Sequence, residues 1–84
     1  MIEIKLEENN KQSIAYDNGI KIVICEFIDK DECWNIIHTE VNNSYKGQGI
    51  ARKLVECIIV NAHKYNKNII AECTYAKKVL NSLT

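Results

Sequence analysis

The chain has no proline, three glycines, one tryptophan and one phenylalanine, and its 11 basic and 11 acidic residues cancel to no net charge. No repeat and no low-complexity stretch interrupts it, so nothing marks a linker between domains. Uninterrupted apolar runs are short, as at Ile22-Val23-Ile24-Cys25, and none is long enough for a membrane-spanning helix. The N-terminus alternates Ile2, Ile4 and Leu6 with Glu3, Lys5 and Glu7, which is not the pattern of a secretory signal. A cytoplasmic protein is the expectation, with no membrane partner. What is present is an ordinary globular composition, 46% hydrophobic and 26% charged, which excludes a disordered tail or a collagen-like fibre. Eighty-four residues suit one small domain spanning residues 1–84, of modest stability unless a ligand or partner adds to it.

The neutral total hides two opposite halves. Residues 1–45 hold four lysines against nine acids, a net charge of −5, and residues 46–84 hold seven basic residues against Glu56 and Glu72, a net charge of +5. The basic half can attract a small polyanion without making the whole molecule a binder of nucleic acid, although a solvated surface can also be lopsided by chance. Cys25, Cys33, Cys57 and Cys73 form no CxxC pair and match no standard zinc spacing, so they read as small buried hydrophobes and no metal site is expected.

Alternation over residues 1–8 reads as a strand, and residues 12–17 as a second. Asn18-Gly19 then supplies the two residues most tolerant of positive φ, the strongest short signal of a hairpin. Residues 20–28, rich in Ile, Val and Phe, form the clearest strand, and residues 33–41 a fourth after a polar turn. The period changes after Gly49. Ile50, Leu54, Val55, Ile58, Ile59 and Ala62 lie on one helical face, with Arg52, Lys53, Glu56 and Lys64 on the other. The helix is expected to end near Tyr65, before Asn66-Lys67-Asn68. Residues 69–73 read as a fifth strand and residues 75–83 as a closing helix. Strand 33–41, helix 50–65 and strand 69–73 make a right-handed βαβ unit, so the last two strands are parallel neighbours. The expected fold class is α+β, an antiparallel meander ending in one parallel pair.

The segment most informative about function is Tyr45-Lys46-Gly47-Gln48-Gly49-Ile50-Ala51-Arg52-Lys53, which joins a strand to a helix N-terminus. Most helices satisfy some of their first N–H groups with a Ser, Thr, Asp or Asn cap. Here the cap region is Gly47-Gln48-Gly49, flanked by Lys46, Arg52 and Lys53. Free donors, the positive end of the helix dipole and close backbone approach suit a phosphate, although a plain turn would use the same glycines. The segment is neither a P-loop nor a Rossmann fingerprint.

Lys46-Gly47-Gln48-Gly49-Ile50-Ala51 resembles the acetyl-CoA loop of the Gcn5-related N-acetyltransferases, Gln/Arg-x-x-Gly-x-Gly/Ala, with Lys in the first position. His38-Thr39-Glu40-Val41 before it, and Cys73-Thr74-Tyr75 with Lys77 and Leu80 after it, are similar to the small single-domain, YjdJ-like branch of that superfamily. The resemblance implies a parallel pair of strands that splays to admit the pantetheine arm. It places the pyrophosphate on the amides of residues 46–51, Val41 beside the pantetheine, and Arg52 and Lys53 near the adenosine phosphates. Acetyl-CoA is the implied cosubstrate, and a small amine or a lysine-containing molecule the implied acceptor.

Acetyl transfer needs a polarised thioester, a deprotonated amine and a proton for the leaving thiolate. A strand N–H at Val41 or its neighbours can polarise the carbonyl. His38 can accept the amine proton, or it is a packed histidine; Glu40, two residues on, can orient it, act as base, or be an exposed strand carboxylate. Cys73, expected to end the fifth strand, is either an acyl-accepting thiol or a cysteine packed near the cosubstrate thiol. Tyr75 either protonates the thiolate or packs the last helix. Two other readings stay open: a noncatalytic acyl-CoA-binding module or sensor, and an adaptor that uses its sheet edge. A free edge would also permit a weak dimer in place of a monomer.

Overall fold

The computed structural model describes residues 1–82. The elements run β1 (Ile2–Glu7), β2 (Gln12–Asp17), β3 (Ile20–Asp29), β4 (Cys33–Val41), a 3₁₀ turn (Asn43–Tyr45), α1 (Ile50–Lys64), β5 (Asn68–Ala71) and α2 (Thr74–Ser82). They form one five-stranded sheet in the order β1-β2-β3-β4-β5. The first four strands are antiparallel and β5 runs parallel to β4, from Cys33↔Asn68 to Ile36↔Ala71. The expected mixed α+β sheet is therefore the observed one. The closing helix expected over residues 75–83 begins one residue earlier, and its last expected residue, Leu83, lies outside the described residues.

Local chemistry accounts for the joints. Asn18 and Gly19 both have positive φ, 50° and 83°, the backbone a two-residue hairpin with right-twisted strands demands. Asn66 takes φ 59° after α1. The N–H of Lys67 then reaches Ala62 O at 2.7 Å and that of Asn66 reaches His63 O at 3.0 Å, which closes the helix in a Schellman motif. The buried stripe of α1, Ile50, Leu54, Val55, Ile58 and Ala62, packs on a sheet face made by Ala15, Val23, Cys25, Phe27, Trp34 and Ile36. Full burial of Leu54, Val55 and Ile58 contributes about 1.5–3 kcal/mol each relative to exposure.

Two β-bulges, invisible in the residue pattern, decide which side chains face the helices. Ile22 is left over between the pairs Ala15↔Val23 and Tyr16↔Lys21. Ile37 is left over between Phe27↔Ile36 and Glu26↔His38. An extra residue reverses the alternation beyond it. On β4, Trp34 and Ile36 face the helices before the bulge, and Thr39 and Val41 do so after it, which turns His38 and Glu40 to the opposite face.

The fifth strand is shorter than residues 69–73. The N–H groups of Glu72 and Cys73 both converge on Ile36 O, at 2.9 and 3.1 Å, which ends the ladder and starts the turn into α2. Cys73 therefore stands at the threshold of α2 and not at the end of a strand. Beyond Ile36, β4 continues to Val41 without β5 beside it. Among the described residues no helix is long and apolar enough to cross a membrane.

Candidate functional site

A gap lies beside the free end of β4. β4 ends at Val41, and the Asn42 side chain accepts the Ser44 N–H at 3.0 Å to start the 3₁₀ turn. Lys46 to Gly49 then lead into α1. Gly47 and Gly49 have φ of 80° and 77°, and a Cβ built on either would meet nothing within 4 Å. These glycines thus serve backbone conformation, not close packing. Gly49 is the N-cap of α1 with no side-chain cap, and the first turn carries no acidic residue. Neither a capping side chain nor an acidic residue of the first turn matches the donors and positive dipole end at the helix start.

A cavity of about 330 Å³ opens there, lined by Val41, Tyr45, Lys46, Gly47, Gly49, Ile50, Ala51 and Tyr75. Val41 forms the strand wall and Tyr75, in the first turn of α2, the opposite wall. Gln48 is exposed on the same loop and does not line the cavity. Arg52 and Lys53 follow on the first turn of α1; Arg52 Nε lies 3.3 Å from Glu56 Oε2, and Lys53 is exposed. Tyr45 is a lining residue that the loop pattern does not single out. Its hydroxyl donates to Asp17 Oδ2 at 2.6 Å, across 28 residues of sequence, so only the folded chain reveals the contact.

Next to the cavity wall, three side chains form a chain of weak hydrogen bonds. The Cys73 thiol donates to Thr39 Oγ1 at 3.5 Å, and the Thr39 hydroxyl donates to Cys25 Sγ at 3.6 Å. The two thiols respond in opposite ways. Burial pushes the Cys25 thiol up to about 11. Burial also acts to raise Cys73, but the Thr39 hydroxyl and the N–H groups of Ala76, Tyr75 and Thr39 outweigh it and lower the thiol below its usual value. Burial raises the Tyr75 phenol, and this ring remains 39% exposed.

His38 and Glu40 stand on the other face of β4, where their side chains are 55% and 72% exposed and His38 Nε2 lies 3.7 Å from Glu40 Oε2. A shallower hollow of about 260 Å³, lined by Lys21, Ile22, Ile24, Glu40, Val41 and Asn42, shares Val41 with the first cavity.

The model of the GCN5-related N-acetyl-transferase family matches residues 6–83, nearly the whole chain. The chain belongs to that family. Two solved structures share the fold of this family member. Ribosomal-protein-alanine N-acetyltransferase from Brucella melitensis biovar Abortus 2308 superposes with a TM-score of 0.69 at 18% identity, over 87% of this chain and 61% of its own. An aminoglycoside acetyltransferase, meta-AAC0020, from an uncultured soil metagenomic sample in complex with sisomicin, gives 0.64 at 13% identity, over 84% and 54%. The chain thus spans about three fifths of the first structure and just over half of the second. No curated protein matches it.

Within this GCN5-related chain, the residues read from sequence fall into two groups on either side of β4. Val41, Lys46, Gly47, Gly49, Ile50, Ala51 and Tyr75 line one cavity, with Cys73 close behind Thr39. His38 and Glu40 face away from it.

Proposed function

We propose that this chain is an acetyl-CoA-dependent N-acetyltransferase whose cosubstrate lies in the cavity between Val41 and Tyr75. The observation that carries this reading is the N-terminus of α1. It opens into the cavity with a left-handed Gly49 cap, no capping side chain and Lys46 at its rim. Such an end favours a pyrophosphate on its amides. Residues 46–51 would hold that group, with Arg52 and Lys53 supplying charge for the adenosine phosphates. The part of β4 without a β5 partner, through Val41, offers backbone groups to the pantetheine amides.

The acceptor nitrogen attacks the thioester carbonyl carbon, the C–N bond forms as the C–S bond breaks, and the amine proton leaves to a base. His38, paired with Glu40 on the far face of β4, takes that proton through water. A β4 N–H at Val41 or its neighbours polarises the carbonyl. Tyr75 returns a proton to the thiolate; its raised phenol keeps that proton at neutral pH. Cys73, bonded to Thr39 of β4, is the alternative first acceptor: its thiolate would attack the thioester carbonyl, release the CoA thiolate, and pass the acyl group on to the amine. The acceptor is a small amine or a lysine-containing molecule, and the protein works in the cytoplasm as a monomer or weak dimer. The two structural neighbours are named for unlike acceptors, a ribosomal-protein alanine and an aminoglycoside, so the fold leaves the acceptor open.

One observation favours a second reading. His38 and Glu40 are exposed on the face away from the cavity, which also suits a noncatalytic acyl-CoA module or sensor. Calorimetry with acetyl-CoA and desulfo-CoA, followed by a panel of primary amines, separates the two. Ligand at 100 times its Kd is expected to add about 2.7 kcal/mol, several degrees in Tm for a domain this small. Binding with turnover supports the enzyme, binding without turnover the sensor, and no binding at millimolar ligand overturns both.

A further inference from the structure

We infer that Tyr45 and Asp17 form a strut that positions the 46–51 loop for its ligand, an inference that rests on the cavity being the acyl-CoA site. The loop's own fastenings are long. Lys46 N–H reaches Asn43 O at 3.4 Å and Lys53 N–H reaches Gly49 O at 3.3 Å, against about 2.9 Å for a typical N–H···O bond. Two left-handed glycines, each with empty space where a side chain would lie, leave the segment free to take other conformations. The residue just before the loop is held differently. The Tyr45 phenol donates to the Asp17 carboxylate at 2.6 Å, a charge-assisted bond between the end of the 3₁₀ turn and the end of β2.

Asp17 sits beside the Asn18-Gly19 turn, and its other oxygen lies 3.3 Å from the N-terminal amine. The Tyr45 hydroxyl, and then that amine, hold the Asp17 carboxyl below the usual carboxylate range, so the strut is fully charged at neutral pH. The hydroxyl is engaged by Asp17, which does not line the cavity, while Tyr45 itself lines it beside Val41, Ile50 and Ala51. Tyr45 thus acts twice: it is part of the cavity wall and its hydroxyl is the anchor. Asp17 touches no part of the cavity and acts only through Tyr45. Preorganisation of this kind lowers the ordering cost of binding.

The test compares Tyr45→Phe, Asp17→Ala, Asp17→Asn and the double variant, with desulfo-CoA as the probe in calorimetry. Tyr45→Phe and Asp17→Ala are each expected to weaken binding by about fivefold, the worth of one hydrogen bond expressed as affinity. The double variant should lose no more than either single change, as for two ends of one contact. Asp17→Asn keeps an acceptor oxygen and should bind within about twofold of the parent. A merely structural pair would lower Tm in Tyr45→Phe and Asp17→Ala and leave the Kd untouched; that result, or additive losses, overturns the strut. If the parent chain fails to bind desulfo-CoA, the acyl-CoA reading falls separately. The strut then stands or falls on the free protein, where Tyr45→Phe should broaden the Gly47 and Gly49 amide resonances and unchanged line widths would refute it.

Discussion

At its C-terminal end α1 ties its last carbonyls to Tyr65, Asn66 and Lys67 N–H groups, and the Tyr65 ring leans on Trp34, which in turn stacks on Phe27 at 4.4 Å. At its N-terminal end the same helix begins on a bare glycine in an exposed loop, with no side chain closing the first turn. A phenol bonded to a carboxylate braces each end: Tyr65 to Glu8 at one, Tyr45 to Asp17 at the other. The far end, however, is filled with aromatic packing, and three of its last carbonyls, those of Asn61, Ala62 and His63, accept backbone bonds. Unmatched donors at an exposed helix start can be hydrated at little cost and remain available to a ligand. One end of α1 therefore supports the fold and the other is left open for binding.

The sharpest contrast comes from removing the aromatic plug. Trp34→Ala is expected to cost about 3–5 kcal/mol of unfolding free energy in urea titration, a large part of what a domain of this size has. At the other end Gly49→Asp is expected to abolish acetyl-CoA binding in calorimetry while lowering stability by only about 1–2 kcal/mol, the penalty of a left-handed non-glycine residue. If Gly49→Asp unfolded the protein as readily as Trp34→Ala, the separation of the two ends would be wrong.

An intermediate effect concerns the thiols. The lowered Cys73 thiol carries more thiolate at pH 7.5 than an ordinary cysteine, whereas Cys25, pushed up to about 11, stays protonated there. Iodoacetamide followed by mass spectrometry should modify Cys73 at least about tenfold faster than Cys25, with the Cys73 rate falling off at lower pH than for a free thiol. Acetyl-CoA should protect Cys73. Equal rates would remove the case for Cys73 as an acyl acceptor. The smallest effect is expected from Tyr65→Phe, a slight loss of stability, since its bond to Glu8 is exposed. Its acetyl-CoA Kd should not move, in contrast to Tyr45→Phe.

Much of this architecture is legible in the residues because the governing physics is local. Asn18-Gly19 has few backbones open to it other than the hairpin, and the 3.6-residue stripe of α1 can bury itself in only one orientation. The glycine loop announces itself for the same reason, since only a residue without Cβ adopts φ near +80° cheaply. His38 is different. Strict alternation from Ile36 would turn it toward the helices, yet the bulge at Ile37 turns it to the open face. A bulge is settled by pairing across two strands, and no single strand records it. Cys73 likewise reads as the last residue of a strand until Ile36 O takes two N–H groups and ends the ladder.

The sequence by itself determined the strand and helix order, the hairpin, the parallel crossover and the loop with its glycine cap, because each follows from periodicity or from the steric limits of one or two residues. Only the tertiary structure decided that Tyr45 is braced by Asp17, that Cys73, Thr39 and Cys25 meet, and that His38 and Glu40 lie across β4 from the cavity. Those relations join residues 14 to 34 positions apart or depend on strand register. Their energies arise only once the whole sheet has closed.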